Sequence, residues 1–402
     1  MANLNTHMTH LEDAVFLLGI DKTRESLDFL RQYRDTLAGT SSSKVNTTVK
    51  WDGAPALFIG KHPVTGEFFV AKKSLFNKTP LYYTSVADIK KSADLSSELK
   101  KKFTYAFNAF KDSGIPNIIQ GDFLFDEGDI KEQMIDGEMH VTFHPNTIVY
   151  SVPSKSELGK ALKKKKFGIV FHTTYTGKDL SYMTNSFGAK IPKHSNDYWV
   201  IDAKYQDMSG TATMTKSEMN KINGYLSSAG KHFAAIGKDA FAVINQEQIA
   251  LHATTYTNKF VRGGRTPTGR EAAAGFIEFI KAKFQAEKDK RSTPKGKQNV
   301  NIKMLQILDP LRSLDHGKLE HIFGLYYDLM EAKNLIIKKL SQSGFVKTFL
   351  LTTDGWKVTG QEGFVAIDKK GTRAVKLVDR LDFSYANFSK DVIKGWESDS
   401  RN

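Results

Sequence analysis

Lys50, Asp52 and Gly53 fall within four residues, Lys50-Trp51-Asp52-Gly53, and form a set that can do phosphoryl chemistry. A lysine amine attacks a phosphorus or carbonyl centre only when it has lost its proton, so a reactive lysine needs desolvation or cationic neighbours that lower its pKa. Asp52 is suited to hold a metal or a ribose hydroxyl, and Gly53 lets backbone approach a phosphate with no Cβ in the way. The same residues also fit a plain strand that ends in an Asp-Gly turn. Further groups lie far downstream: Asp122 after Gly121, Glu362 before Gly363-Phe364-Val365, and Lys376 between Val375 and Leu377.

Each of these residues stands in or beside a β-like run. Val45, Thr47 and Val49 lead into the tetrad, and Ala54 to Ile59 follow it. A turn with Pro63 and Gly66 then returns the chain through Phe68 to Ala71, ending at Lys72-Lys73-Ser74. Asn117 to Phe125 reads as a strand, as do Met139 to Phe143 and Thr147 to Tyr150 around a Pro145-Asn146 turn. His140 and His144 are four apart but lack a third ligand, which favours a structural role. Asp126, Glu127 and Asp129 make an acidic turn, solvated or able to assist Mg²⁺. A short helix ending in Lys163 to Lys166, whose charges suit a helix C-terminus, precedes the strand Phe167 to Thr173. Gln361 to Ile367 and Arg373 to Val378 read as two strands joined by a turn at Lys369-Lys370-Gly371.

Helical spacing marks the rest. Leu11, Val15 and Leu18, then Leu27, Leu30 and Leu37 after Gly19-Ile20-Asp21, predict a helical hairpin followed by a loop at Thr40 to Ser43. Leu99, Phe103, Phe107 and Phe110 make one apolar stripe. Ala272, Phe276, Phe279, Ile280 and Phe284 mark another helix, and Leu319 to Leu340 a longer one, with Lys288 to Lys297 as a charged linker between them. Arg262, Arg265 and Arg270 stand among glycines, where guanidinium and backbone can both reach phosphates. A surface loop with no partner is the competing reading.

K-x-D-G, G-[D/E], E-G-F-V and V-K-L, in this order, resemble the covalent nucleotidyltransferase superfamily: ATP-dependent DNA and RNA ligases and mRNA capping enzymes. The resemblance covers about 45–178 and 345–390, and its spellings look most like those of phage-type RNA ligases. It implies an α+β fold: an antiparallel-sheet nucleotidyltransferase core (ATP-grasp-like adenylation core) with a large, mainly helical insertion. It implies ATP and Mg²⁺ (or Mn²⁺) as cofactors, Lys50 as the nucleophile that forms lysyl-AMP, and Lys376 as the cation that neutralises charge on phosphate oxygens. Asp52 and Gly53 would line the nucleotide site, Asp122 and Glu362 would contact ribose or metal, and Phe171 would stack on adenine beside His172, where many DNA ligases carry Asp. Lys73 would touch phosphate or the nucleic-acid end; a solvated strand end is the alternative. One departure concerns the last motif: ligases usually carry K-x-K, and here the second lysine position is Val378. Alternation would place Arg380 on the same face, so either Arg380 takes that place or the function is missing. The 26 residues after Lys376 are too few for the β-barrel that DNA ligases and capping enzymes add, which points to an RNA ligase.

Four segments follow: 1–44, an N-terminal helical segment; 45–180, the first part of the core; 181–344, the mainly helical insertion, a candidate nucleic-acid-binding region with Arg262, Arg265 and Arg270; and 345–402, the second part of the core. With 402 residues and 40% hydrophobic content the chain can bury a sizeable core. It has no cysteine, which excludes disulfides, thiol catalysis and cysteine-ligated zinc. Lys and Arg outnumber Asp and Glu by 58 to 44, a net +14 that favours phosphate polymers as partners, although basic solvated surfaces are common. No run reaches a membrane span and the start lacks an apolar leader, so the expectation is a cytoplasmic protein (host cytoplasm if viral) with no membrane partner. The expected function is RNA end-joining or repair. A DNA ligase, or a non-catalytic basic nucleic-acid-binding protein on this fold, are the alternatives.

Overall fold

A computed structural model describes residues 9–40, 46–204, 213–342, 346–367 and 374–395. The expected loop at Ser41 to Ser43, the turn Lys369-Lys370-Gly371 and the strand-end residues Val45 and Arg373 fall outside them. In chain order the elements are α1 (Ala14–Leu17), α2 (Gly19–Leu37), β1 (Asn46–Lys50), β2 (Ala56–Lys61), β3 (Phe68–Ala71), α3 (Val86–Lys91), α4 (Ser97–Phe110), β4 (Ile118–Asp126), β5 (Lys131–Ile135), β6 (Glu138–Phe143), β7 (Val149–Pro153), α5 (Glu157–Leu162), β8 (Phe167–Thr176), β9 (Thr184–Phe187), β10 (Tyr198–Asp202), α6 (Lys216–Ile244), α7 (Glu247–Arg262), α8 (Gly269–Asp289), α9 (Pro294–Arg312), α10 (His316–Ser341), β11 (Lys347–Thr352), β12 (Gly355–Val358), β13 (Gly363–Ile367), β14 (Ala374–Val378) and α11 (Tyr385–Phe388). A π-helical turn, Arg380–Ser384, joins β14 to α11.

The strands make three sheets of an α+β protein. One has the order β1-β13-β14, one runs β10-β8-β4-β2-β3 with β9 also on β8, and one runs β12-β11-β7-β6-β5. The named strands pair antiparallel except β8 with β10. The three-stranded sheet has two different faces because side chains alternate along a strand. Phe364, Ala366, Val375 and Leu377 enter the helical core, while Lys50, Val365 and Lys376 face a cavity. The helices α2, α6, α7, α8, α9 and α10 share that core with Leu11, Val15 and Phe16, so the N-terminal segment and the later helices bury apolar surface together. α4 lies over the six-stranded sheet through Phe103 and Phe110.

Several expectations change. β9 and β10 lie inside 181–344 yet extend the six-stranded sheet, and the helical part begins at α6; Tyr198-Trp199-Val200-Ile201 is a bulky run suited to a strand. Lys288 to Lys297 is no extended linker, because α8 runs to Asp289 and Thr293 caps α9, its side chain accepting from Gly296 N–H. The N-terminal hairpin reduces to one turn before α2, which starts at Gly19 with φ +81°, and Leu18 is exposed. Among the described residues no helix is long and apolar enough to cross a membrane.

Candidate functional site

A cavity of about 510 Å³ lies between the three-stranded and six-stranded sheets. Lys50, Asp52, Gly53, Lys73, Asp122, Glu362 and Lys376 all line it. Lys50 ends β1, and its Nζ makes an ion pair with Glu362 Oε1, one residue before the start of β13. Gly363 lets β13 pack closely on β14: a Cβ there would sit 2.1 Å from Leu377 O, so any side chain would force the two strands apart. Gly53 serves a similar end, since a Cβ would meet Asp122 Cβ at 2.6 Å and Phe123 O at 2.7 Å. Its role is close packing of the tetrad on β4.

Asp52 is committed to structure. Asn146 Nδ2 donates to Oδ1 at 2.7 Å, and the Thr147 and Ile148 N–H groups donate to Oδ2 at 2.7 and 2.8 Å. The carboxylate therefore pins the β6–β7 turn under Lys50, and the Asp52 N–H donates to the Tyr150 hydroxyl at 2.7 Å. Burial raises its pKa and the three donors act against that rise.

The electrostatics centre on three groups. Burial alone would lower the Lys50 pKa, but the adjoining Glu362 carboxylate outweighs it and the net shift is upward, so the ligand-free site holds a protonated lysine. Lys376 is pushed down, first by burial and then by the Lys50 charge. Burial pushes Glu362 up to about 7, held back by Lys50. The folded chain thus grips the Glu362 proton more tightly than the unfolded chain. That stabilisation is complete below pH 4.5 and is lost as pH rises through about 7. The wild-type unfolding midpoint is expected to fall more steeply over this window than that of Glu362→Gln. Removing the carboxylate charge is also expected to lower the pH midpoint for acetylation of Lys50 by acetic anhydride, read by mass spectrometry.

Besides Asp52, the carboxylates of Asp122 and Glu362 face the cavity, and His172 Nε2 is 3.4 Å from Asp122 Oδ2. Among the described residues no three His, Asp or Glu side chains form a metal-holding group. Two carboxylates nevertheless suit Mg²⁺, which commonly takes one or two protein carboxylates and completes its shell with phosphates and water.

Phe171 is not at the site. It is fully buried on the opposite face of β8, 5.6 Å from the Phe110 ring. Its neighbours Val170 and His172 line the cavity, together with the aromatic side chains of Phe58, Phe76, Tyr175 and Phe187. Strand parity carried the signal, since Phe171 shares its face with the core residues Phe167 and Ile169. Arg380 is also elsewhere. β14 stops at Val378, and Arg380 is buried against Tyr326, Asn258 and Asp13. It does not take the place of the second lysine. His140 donates to or accepts from Ser151 Oγ at 2.7 Å, apart from His144, so the two make no metal pair. Asp126 and Asp129 close their own turn through backbone N–H groups.

Of the three arginines, all exposed, Arg262 lies 4.7 Å over the Phe388 ring. Arg265 lies 4.7 Å over Phe260 and pairs with Glu271 at 2.7 Å. Arg270 lies in the first turn of α8. Sequence reading missed Asn146 and the segment carrying Phe383 and Asn387, which closes one side of the cavity. Thr147 Oγ1 ties it down with a 2.7 Å bond to Asn387 Oδ1.

Among curated proteins and among solved structures, none matches the chain. A family model spans nearly all of the described fold, matching residues 5–392. The chain belongs to that family, a family of unknown function (DUF6267).

Proposed function

We propose that the protein is an ATP-dependent polynucleotide ligase, acting on RNA rather than DNA, that works through an AMP bound covalently to Lys50 on a nucleotidyltransferase-type (ATP-grasp-like) core. One observation carries the reading: Lys50, Asp122, Glu362 and Lys376, spread over most of the chain, line a single cavity with Lys73. Three lysines and an aromatic wall suit a nucleoside triphosphate, whose phosphates need cations and whose base needs flat apolar partners.

The chemistry balances within that site. Lys50 first gives up one ammonium proton to solvent, which ends its ion pair with the Glu362 carboxylate. The freed lone pair forms a bond to the α-phosphorus of ATP. The bond from that phosphorus to the β-phosphate oxygen breaks, and pyrophosphate leaves with the electron pair. The nitrogen then loses its second proton to solvent. Lys376, its pKa lowered by burial and by the Lys50 charge, sits where charge builds on the phosphate oxygens. Asp122 and Glu362 would hold Mg²⁺ (or Mn²⁺), which supplies further charge neutralisation when bound. AMP then passes to a 5′-phosphate end, and a 3′-hydroxyl displaces it to join the strands.

The test is incubation of the purified protein with ATP labelled in the α-phosphate and a divalent cation. A label that survives denaturation and maps by peptide mass spectrometry to Lys50 is expected. Folded protein that takes up no label with either Mg²⁺ or Mn²⁺ would sink the proposal. Joining of nicked RNA in preference to nicked DNA is the second expected result, and the reverse preference would move the substrate assignment to DNA.

A further inference from the structure

The segment that closes the cavity has a second face. Phe383 and Asn387 line the cavity, whereas Tyr385 and Phe388, on the same π-turn and short helix, are 40% and 57% exposed. Arg262 holds its guanidinium 4.7 Å from the Phe388 ring. Gly264, in the left-handed region at φ +65°, brings the backbone of the α7–α8 connection against the Tyr385 ring. Two exposed rings and an arginine, Arg262, are therefore gathered on one patch. Lys259, on α7, and Lys390, just past α11, are exposed as well. Asp382 and Asp391 are the exposed acids of this stretch, while Glu271 is taken by Arg265.

Solvent-facing aromatic rings beside arginines match one chemistry closely. Every nucleobase has a π-face that stacks on such rings, and every nucleotide link carries a phosphate that a guanidinium can grip. A duplex hides its base faces and offers only the phosphates. The patch is also continuous with the cavity wall, since Tyr385 is two positions after Phe383 and Phe388 directly follows Asn387.

We propose that Tyr385, Phe388 and Arg262 form a stacking platform for a single-stranded RNA segment leading to the cavity. This deepens the ligase reading and rests on it for the direction of the strand, but the binding itself requires no ATP and no reaction.

The experiment measures fluorescence anisotropy of a labelled single-stranded RNA of about a dozen nucleotides, without ATP, against the wild type, Phe388→Ala and Phe388→Trp, with circular dichroism confirming that each is folded. Phe388→Ala is expected to weaken binding about tenfold, and Phe388→Trp, which keeps a stacking face, to hold it near the wild-type value. Affinity for a duplex of the same sequence is expected to change less than twofold. Equal affinity of Phe388→Ala and wild type for the single strand, or an equal loss for single strand and duplex, would overturn the platform. The two proposals fail separately: a protein that labels Lys50 yet ignores Phe388→Ala loses only the platform. One that takes up no AMP yet binds RNA through Phe388 loses only the ligase.

Discussion

Lys50→Arg is expected to take up no AMP, a fall of more than about 10⁴-fold in the rate of labelling, while remaining folded. The choice of arginine separates chemistry from structure. A guanidinium keeps the positive charge that answers Glu362 in a mostly enclosed site, but it does not lose its proton in a protein and so offers no lone pair to phosphorus. Lys50→Ala would also lose the label, yet it leaves the Glu362 carboxylate without its ion-pair partner and can disturb the fold. Labelling that persists in Lys50→Arg at a tenth of the wild-type rate or more would place the nucleophile elsewhere.

The largest effect on stability is expected where α10 packs on the N-terminal segment, behind the three-stranded sheet. Lys333, on α10, and Glu12 are both 0% exposed and make two contacts, at 2.7 and 2.9 Å. Arg380 lies 3.9 Å from Glu12 and 3.4 Å from Asp13. Asp13 is raised to about 6, by burial first and by Glu12 next. Lys333→Met leaves the Glu12 charge buried with only the more distant Arg380, and is expected to cost about 3–5 kcal/mol in urea unfolding. Pairing it with Glu12→Leu removes both charges and is expected to restore most of that loss, because well-packed apolar residues of similar volume often replace a buried pair without cost. No recovery in the double variant would mean that the pair does more than neutralise itself. By contrast, breaking the exposed Lys22–Glu25 pair is expected to leave the unfolding midpoint unchanged.

The cavity-lining residues are legible in the sequence where local rules agree with the fold. Lys50, Glu362 and Lys376 stand in or beside short runs of β-forming residues, and the runs at β1, β13 and β14 exist much as read. Long amphipathic helices such as α8 and α10 are equally plain, because an apolar stripe sustained at helical spacing along so many residues does not fit the period of a strand. The failures share a cause: a residue's direction depends on where its element stops. Arg380 would share a face with Lys376 only if the strand continued. Instead the Asp379 side chain accepts from the Leu381 and Asp382 N–H groups, starting the π-turn that swings Arg380 into the helical core. Residue type singles out Phe171, whereas the parity of β8 turns it away from the cavity. Asp52 looks like a ligand because it is an acid beside a lysine; that its oxygens hold the β6–β7 turn depends on a contact 94 or more positions away, which no local pattern records.

The three-stranded sheet also sets a condition on when the site can exist. Thr48 Oγ1 donates to Val365 O across 317 positions, and Lys50 has neither Glu362 nor Lys376 beside it until that pairing is made. Closing so long a loop is entropically slow, and contacts of this separation form late in folding. During synthesis the lysine leaves the ribosome hundreds of residues before its partners, as an ordinary surface amine on an unfinished domain. The finished sheet is what brings Glu362 and Lys376 beside it. An interrupted or clipped chain therefore carries Lys50 without Glu362 and Lys376, and under the ligase proposal it is expected to form no adduct with ATP.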